Sequence, residues 1–341
     1  MTKTAVVVGA TGQIGRVVVR RLAEDGWDVT AISRTPASGG PPGHGVRTVH
    51  LDRDVDGALE SALGDGCDVL VDMVAYGEGH ARQLLGLGDR IGSAVVISSV
   101  NVYADGAGRG FDTQDAHFPE YPVPIREDQP VIAPGDTSNP TRKAALEHTL
   151  LHSGGSLPVT LVRPGAIHGP GSPLPREWFF VKRALDKRRI RLMPYRGEGR
   201  FHTSSSANIA EVIRLAASRP GTRVLNAADP QALTVREIAA AVDAVMGHEA
   251  EDVLMDGLPE DGLGGSPWCT PRPVVLDMSA AERELGYVPV TGYAESLPET
   301  VEWLLREAGD QPWQEAFPLL NRAIGPLSFD YAAEDRWISG R

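Results

Sequence analysis

Thr4-Ala5-Val6-Val7-Val8-Gly9-Ala10-Thr11-Gly12-Gln13-Ile14-Gly15-Arg16 is the stretch whose reading decides the fold. Ala5 to Val8 has the length and β-branched content of a buried strand. Gly9, Gly12 and Gly15 follow at the spacing G-x-x-G-x-x-G, and Ile14, Val17, Val18 and Leu22 then recur at helical spacing. A strand that turns through glycines into a helix makes a phosphate cradle. The first glycine permits the tight turn, the middle one admits a pyrophosphate to the backbone, and the last lets the helix pack closely. The helix N-terminus adds N–H donors and the positive end of its dipole. Gly9, Thr11, Gly12, Gln13, Ile14 and Gly15 are therefore the candidate residues of a dinucleotide site.

Outward from this stretch the pattern repeats. Asp28 to Ile32 reads as a second strand ending in Ser33-Arg34, and Val46 to Leu51 as a third, followed by Asp52-Arg53-Asp54. Between them Thr35 to Gly45 is a Gly/Pro-rich loop. Ala58 to Leu63 suits a short helix, and Val69 to Val74 and Ala94 to Ser98 read as strands four and five. Strands alternating with helices predict an α/β fold, a doubly wound parallel Rossmann sheet. Ala104 to Pro140 is a long polar segment after the fifth strand, at the sheet edge where ligands bind in such folds. A helix over Arg142 to His152 and a strand over Val159 to Val162 complete this part.

Beyond Pro170 the strict alternation is lost. Helices are expected over Trp178 to Lys187, Asn208 to Ala217 and Ser296 to Glu307, with a short strand over Arg223 to Asn226. Thr234-x-x-Glu237 and Ser279-x-x-Glu282 read as capping boxes, the second opening a helix that ends at Gly286. The expected organisation is a Rossmann domain over residues 1–166 and about 203–228. A smaller mixed substrate domain takes about 167–202 and 229–308, and an extension covers 309–341. Trp313, Phe317, Phe329, Tyr331 and Trp337 make that extension a segment docked on the body or on a partner subunit.

The chain's 341 residues suffice for a substantial core. A net charge of −12 argues against nucleic acid as the partner, since phosphate backbones require concentrated Lys and Arg. Lys182 to Arg191 is the one basic run, read as a solvated helix face. No apolar run reaches about 18 residues, and the first residues lead straight into a strand, so neither a membrane span nor a signal peptide is expected. Cys67 and Cys269 are too few for a disulfide framework or a metal cage, and a cytoplasmic protein without metal is expected.

Taken together, several segments resemble the extended short-chain dehydrogenase/reductase family, which includes nucleotide-sugar epimerases and dehydratases. They are the Gly9/Gly12/Gly15 loop, Val96-Ile97-Ser98-Ser99 with Val102-Tyr103, Pro124 to Pro130, Arg142 to Glu147, Arg163-Pro164-Gly165 through Gly169-Pro170, and Glu284 to Pro289. The resemblance covers about residues 4 to 308 and implies hydride transfer assisted by a Ser or Thr, a Tyr and a Lys. Lys143 matches the Lys that holds the nicotinamide ribose, and Ser99 matches the hydroxyl that meets the substrate oxygen. The position four residues before Lys143, where the family has its Tyr, holds Asn139. An amide does not titrate, so Asn139 can orient a carbonyl or a water but cannot carry the proton.

Three readings follow. Redox chemistry persists with another proton carrier, for which Tyr103 and His168 are the candidates and Tyr121 and His202 weaker ones. Alternatively the site has turned to a cyclisation, elimination or isomerisation, or it binds nucleotide without turnover. Ser33-Arg34 stands where NAD sites place a carboxylate for the ribose hydroxyl, and a hydroxyl plus a guanidinium suits a 2′-phosphate, so NADP is expected over NAD. The resemblance further places Asp52 and Arg53 by the adenine and Pro164 beside the nicotinamide. It makes Arg200 and Arg272 candidate clamps for a nucleotide-sugar diphosphate. Trp178, with Phe179 and Phe180, is the candidate wall of an apolar pocket suited to a natural-product intermediate. A small-molecule substrate and a homodimer, with the Arg142 to His152 helix at its interface, complete the implied partners.

Overall fold

The Ala5–Val8 run forms strand β1 (Thr4–Val8), its four apolar residues buried. The computed structural model describes residues 2–35, 45–155, 157–259 and 261–340. The chain divides into two compact units, Met1–Gly165 with Ser206–Ala228 and Leu276–Val290, and Ala166–Ser205 with Asp229–Val275 and Thr291–Arg341.

In the first unit β1 leads into α1 (Gly15–Glu24), β2 (Asp28–Ser33), β3 (Val46–His50), α2 (Ala58–Leu63), β4 (Val69–Asp72), α3 (Glu78–Gly86), β5 (Ala94–Ile97), α4 (Asn139–His152) and β6 (Val159–Pro164). In the second unit come β7 (Ala166–His168), α5 (Trp178–Leu185), β8 (Ile190–Met193) and β9 (Thr203–Ser205). The chain then supplies α6 (Ser206–Ser218) and β10 (Arg223–Ala227) to the first unit. Among the described residues seven strands form one parallel sheet in the order β10-β6-β5-β4-β1-β2-β3, flanked by helices. Val8 is level with Ile32 and Asp72, and Asp72 with Val96, so the strands end together along one edge. The order reverses between β1 and β4, the switch point at which ligands bind in doubly wound sheets.

Leu59, Leu84, Leu146 and Leu150 from α2, α3 and α4 join β-strand residues in one buried cluster. Each such side chain contributes about 1.5–3 kcal/mol of burial. On α1 and α6, which pack together, Val18, Leu22, Ile209 and Ile213 are buried. The long segment after β5 is ordered by its own bonds. Asp105 accepts from the amides of Ala107, Arg109 and Glu120, and the Tyr121 hydroxyl donates to the Tyr103 carbonyl. Residues 276–290, expected in the substrate domain, belong here instead. The Asp277 amide donates to Ile125 O, and the Val290 amide to Asn208 Oδ1.

The second unit adds α7 (Val235–Met246), β11 (Glu251–Leu254), α9 (Tyr293–Ala308), α10 (Trp313–Ala316), α11 (Pro318–Ala323) and α12 (Tyr331–Ser339), while α8 (Ser279–Leu285) lies in the first. Its strands pair as β7–β9 and β8–β11. The box at Thr234 and Glu237 forms reciprocally. The one expected at Ser279 does not, because the Ser279 amide is taken by Asp277 Oδ1 at 2.7 Å. The 309–341 extension packs on this unit. Glu334, fully buried, accepts from Arg183 at 2.5 Å, Arg183 also donates to Ser328 O, and Trp313 meets Phe329 edge-on. Arg188 and Arg191 of the basic run are likewise paired, with Asp335, Asp243 and Asp252. Among the described residues no helix is long and apolar enough to cross a membrane.

Candidate cofactor and catalytic site

The cradle is built by close approach of backbone to backbone. Gly9 takes φ +83°, a region costly for other residues, and its amide donates to Ile32 O. A Cβ at Gly9 would lie 2.7 Å from Val74 Cγ1, and one at Gly15 would overlap the Gly9 carbonyl and stand 2.9 Å from Ala10 Cα. The absence of both side chains lets α1 begin directly against the turn, with Ile14 as its first flanking residue. Thr11 and Gly12 sit at the surface, while Gln13 and Ile14 are buried. Arg16, not expected as a site residue, lays its guanidinium over the loop and donates to Thr11 O at 3.1 Å. Amides of a helix start beside a guanidinium are donors suited to a pyrophosphate.

Farther along the same edge, Lys143 reaches from α4 across the ends of β4 and β5. Its ammonium donates to Ala75 O at 2.7 Å and Ile97 O at 2.8 Å. Burial pushes its pKa down to about 8, against the opposing pull of Asp72. Ser99, half-buried just past β5, accepts from the Asn101 amide at 3.1 Å, leaving its own proton to give. Asn139 opens α4 one turn before Lys143 and is exposed. Pro164 closes β6 and is buried. Tyr76, which the sequence reading passed over, follows Ala75 directly and is 38% exposed.

At the end of β2 the Ser33 hydroxyl donates to Thr35 O, and Arg34 beside it is exposed. Asp52 accepts from the Asp54 amide. Arg53 corrects the expectation of an adenine contact: it is buried, ion-paired with the fully buried Asp72 and bonded to Gln83. Its charge is engaged inside the unit. Tyr103 is a second correction. It is fully buried, donates to Asn226 Oδ1 at 2.7 Å, and has Arg163 4.6 Å from its ring centre. Burial outweighs Arg163 and pushes its pKa up to about 12, and with no exposed surface and its hydroxyl given to Asn226 it is not placed to serve a substrate. Tyr121 is also buried, and burial pushes its phenol well up.

In the second unit His168 is fully buried and bonded to Asp229 Oδ2 at 2.7 Å, with the Tyr293 ring 4.9 Å away. Burial works against its charge, but Asp229 outweighs burial and holds the histidine above its ordinary pKa. With no exposed surface the imidazole is not placed to meet a substrate, which goes against its expected catalytic and substrate roles. His202 is bonded to Asp229 O. Trp178, Phe179 and Phe180 are core residues, and Trp178 packs on Phe317, so the apolar wall is corrected as well. Arg200 donates to Ala232 O, and Arg272 is exposed.

Residues 9–173, just under half of the chain, match the NAD(P)H-binding family model. A search of curated proteins finds no match. Among solved structures, the UDP-N-acetylglucosamine 4-epimerase of Methanobrevibacter ruminantium is 20% identical, with 89% of this chain and 99% of that one covered at a TM-score of 0.68. The chain has the epimerase/dehydratase fold. A dTDP-glucose 4,6-dehydratase from Bacillus anthracis, solved with NAD, shares this fold at 17% identity, coverage of 90% and 98%, and a TM-score of 0.67. The Bordetella bronchiseptica enzyme WbmG, solved with NAD and UDP, matches at 17% identity, 90% and 96% coverage, and 0.68. Most of the residues matched by the NAD(P)H-binding model lie in the first unit.

Proposed function

We propose that the chain is an NADP-dependent oxidoreductase of the epimerase/dehydratase type, acting on a carbonyl or secondary alcohol of a nucleotide-sugar. The observation that carries this reading is Lys143. Its ammonium is fixed on the Ala75 and Ile97 carbonyls at the edge that also holds the Gly9–Gly15 cradle and Ser99. A bound nicotinamide dinucleotide supplies the hydride carrier. The cradle amides and Arg16 hold its phosphates, and Lys143 offers a directed cation to its ribose. Ser99 donates a hydrogen bond to the substrate oxygen, and Asn139 orients that oxygen without titrating. The core placement of Trp178 favours the nucleotide-sugar over an apolar intermediate, and the UDP-bound and dTDP-glucose-acting relatives point the same way.

Arg34, at the end of a β2 that lacks a terminal carboxylate, supports NADP. A charged hydrogen bond to the 2′-phosphate is worth about 1.5–3 kcal/mol, so NADPH is expected to bind at least about tenfold tighter than NADH. Fluorescence titration checks this, and equal or tighter binding of NADH refutes the assignment. Incubating the protein and NADP with UDP-glucose, UDP-N-acetylglucosamine or dTDP-glucose, with products read by NMR, checks the activity. Asn139 is the observation behind a second reading, nucleotide binding without hydride transfer. That reading requires cofactor binding with no conversion of any of the three.

A further inference from the structure

The geometry points to Tyr76 as the proton carrier that replaces the tyrosine missing at position 139. The inference rests on the oxidoreductase reading above and assigns it a residue.

Of the chain's seven tyrosines, Tyr76 alone is exposed. Others have committed hydroxyls: Tyr103 donates to Asn226, Tyr121 to Tyr103 O, Tyr293 to Glu177 and Tyr331 to Asp186. Tyr76 follows Ala75, whose carbonyl holds the Lys143 ammonium. Its ring centre is 5.8 Å from Lys143 Nζ and 5.6 Å from Arg142 Cζ. The Tyr76 ring thus lies beside two cations at the edge where Lys143 is fixed, and a phenol placed there can serve as an acid–base group. The loop is held as well. The Tyr76 amide donates to His80 Nδ1 at 2.7 Å, which leaves Nε2 to donate to Asp54, also at 2.7 Å. Lys143 thus has the exposed amide of Asn139 one helical turn away and a phenol on the facing loop.

The step balances. In alcohol oxidation the substrate C–H bond breaks and its hydride reduces the oxidised nicotinamide dinucleotide. The O–H bond breaks, C=O forms, and the proton passes to the Tyr76 phenolate oxygen. Carbonyl reduction returns both in reverse.

The test joins a footprint to kinetics. Tetranitromethane nitration of Tyr76, mapped by peptide mass spectrometry, is expected to slow about tenfold or more when UDP-glucose, UDP-N-acetylglucosamine or dTDP-glucose is added with NADP. Tyr76→Phe is expected to lose about 100-fold or more in kcat while keeping KM and NADPH affinity, the range for a lost acid–base group. Adding Asn139→Tyr to that variant is expected to restore turnover, which also shows that the variant is folded. Nitration unchanged by all three sugars overturns the inference, and so does a Tyr76→Phe protein with wild-type kcat. If the wild-type protein converts none of the sugars, the oxidoreductase reading fails and the inference with it. An active wild type with an equally active Tyr76→Phe variant removes the inference alone.

Discussion

The same substitution, glycine to alanine, should have opposite effects at Gly15 and Gly79, and the difference follows from what each Cβ meets. Both residues lie in helices, α1 and α3. In a helix alanine is favoured over glycine by up to about 1 kcal/mol, and by less in the first turn, where both residues stand. At Gly79 nothing lies within 4 Å of the added atom, so the helical gain stands. At Gly15 the atom overlaps the Gly9 carbonyl and stands 2.9 Å from Ala10 Cα. Both are backbone atoms in the first turn of the cradle, and neither can swing aside. Overpacking costs about 1–3 kcal/mol even where side chains can yield, so the clash outweighs the helical gain. The helix start must also move away from the loop whose amides are proposed to hold the cofactor phosphates. Gly15→Ala is therefore expected to lower the thermal midpoint and to weaken NADPH binding about tenfold or more. Gly79→Ala should raise the midpoint by up to about 2–4 °C and leave affinity unchanged. Calorimetry with fluorescence titration of both variants checks this. A Gly15→Ala protein that melts at or above the wild type and binds NADPH equally would refute the reading of the third glycine.

Two further outcomes are expected from buried charges. Glu147 and Arg163 form a buried pair in the first unit, 2.9 Å and 2.5 Å through two bonds, and Glu147→Gln should cost about 3 kcal/mol in urea unfolding, since a buried guanidinium loses its counter-charge. In the second unit the His168–Asp229 pair sets a pH window. The histidine is held above its ordinary value, so the stability it adds is complete below about pH 6.5 and falls as pH rises through its raised value. Burial would raise Asp229, but His168 and the Ser205 amide hold it well below the usual carboxylate range. Its contribution is present above about pH 4 and falls in strong acid. Stability measured against pH should therefore decline on the alkaline side in the wild type and decline less in His168→Gln.

The sheet was legible because its signals are local. An apolar run followed by spaced glycines specifies a strand, a turn and a helix start within residues 4–16, and the parallel order follows from alternation and crossover handedness. What escaped the sequence depended on partners far along the chain. Helix α3 was missed because Gly77, Gly79 and Gly86 dilute its propensity, although Ala81 and Leu84 bury its face. Strands β8 and β11 pair with each other across some sixty residues, which no local pattern announces. Arg53, Tyr103 and His168 carried the right chemistry for a site, but Asp72, Asn226 and Asp229 had already engaged them. Only a structure shows that a titratable side chain is occupied. Tyr76 had one available signal: it stands directly after the fourth strand, on the edge where such sheets bind ligands.

The structure separates the identity of residue 139 from what holds the α4 start and Lys143. The α4 start is secured by Ser138 and Thr141, whose side chains and amides bond reciprocally, and by Pro140 in the first turn. Residue 139 lies between these anchors, exposed, so its side chain is not what holds the helix start. Lys143 is placed by Ala75 and Ile97, carbonyls at the ends of other strands. Fold and lysine geometry are therefore separable from the identity of residue 139. Asn139→Tyr should change the unfolding free energy by no more than the roughly 0.5 kcal/mol of ordinary surface changes, while acting on turnover. A large loss of stability in that variant would show instead that the amide is part of the structure, and the case for a proton carrier moved to the facing loop would lose its premise.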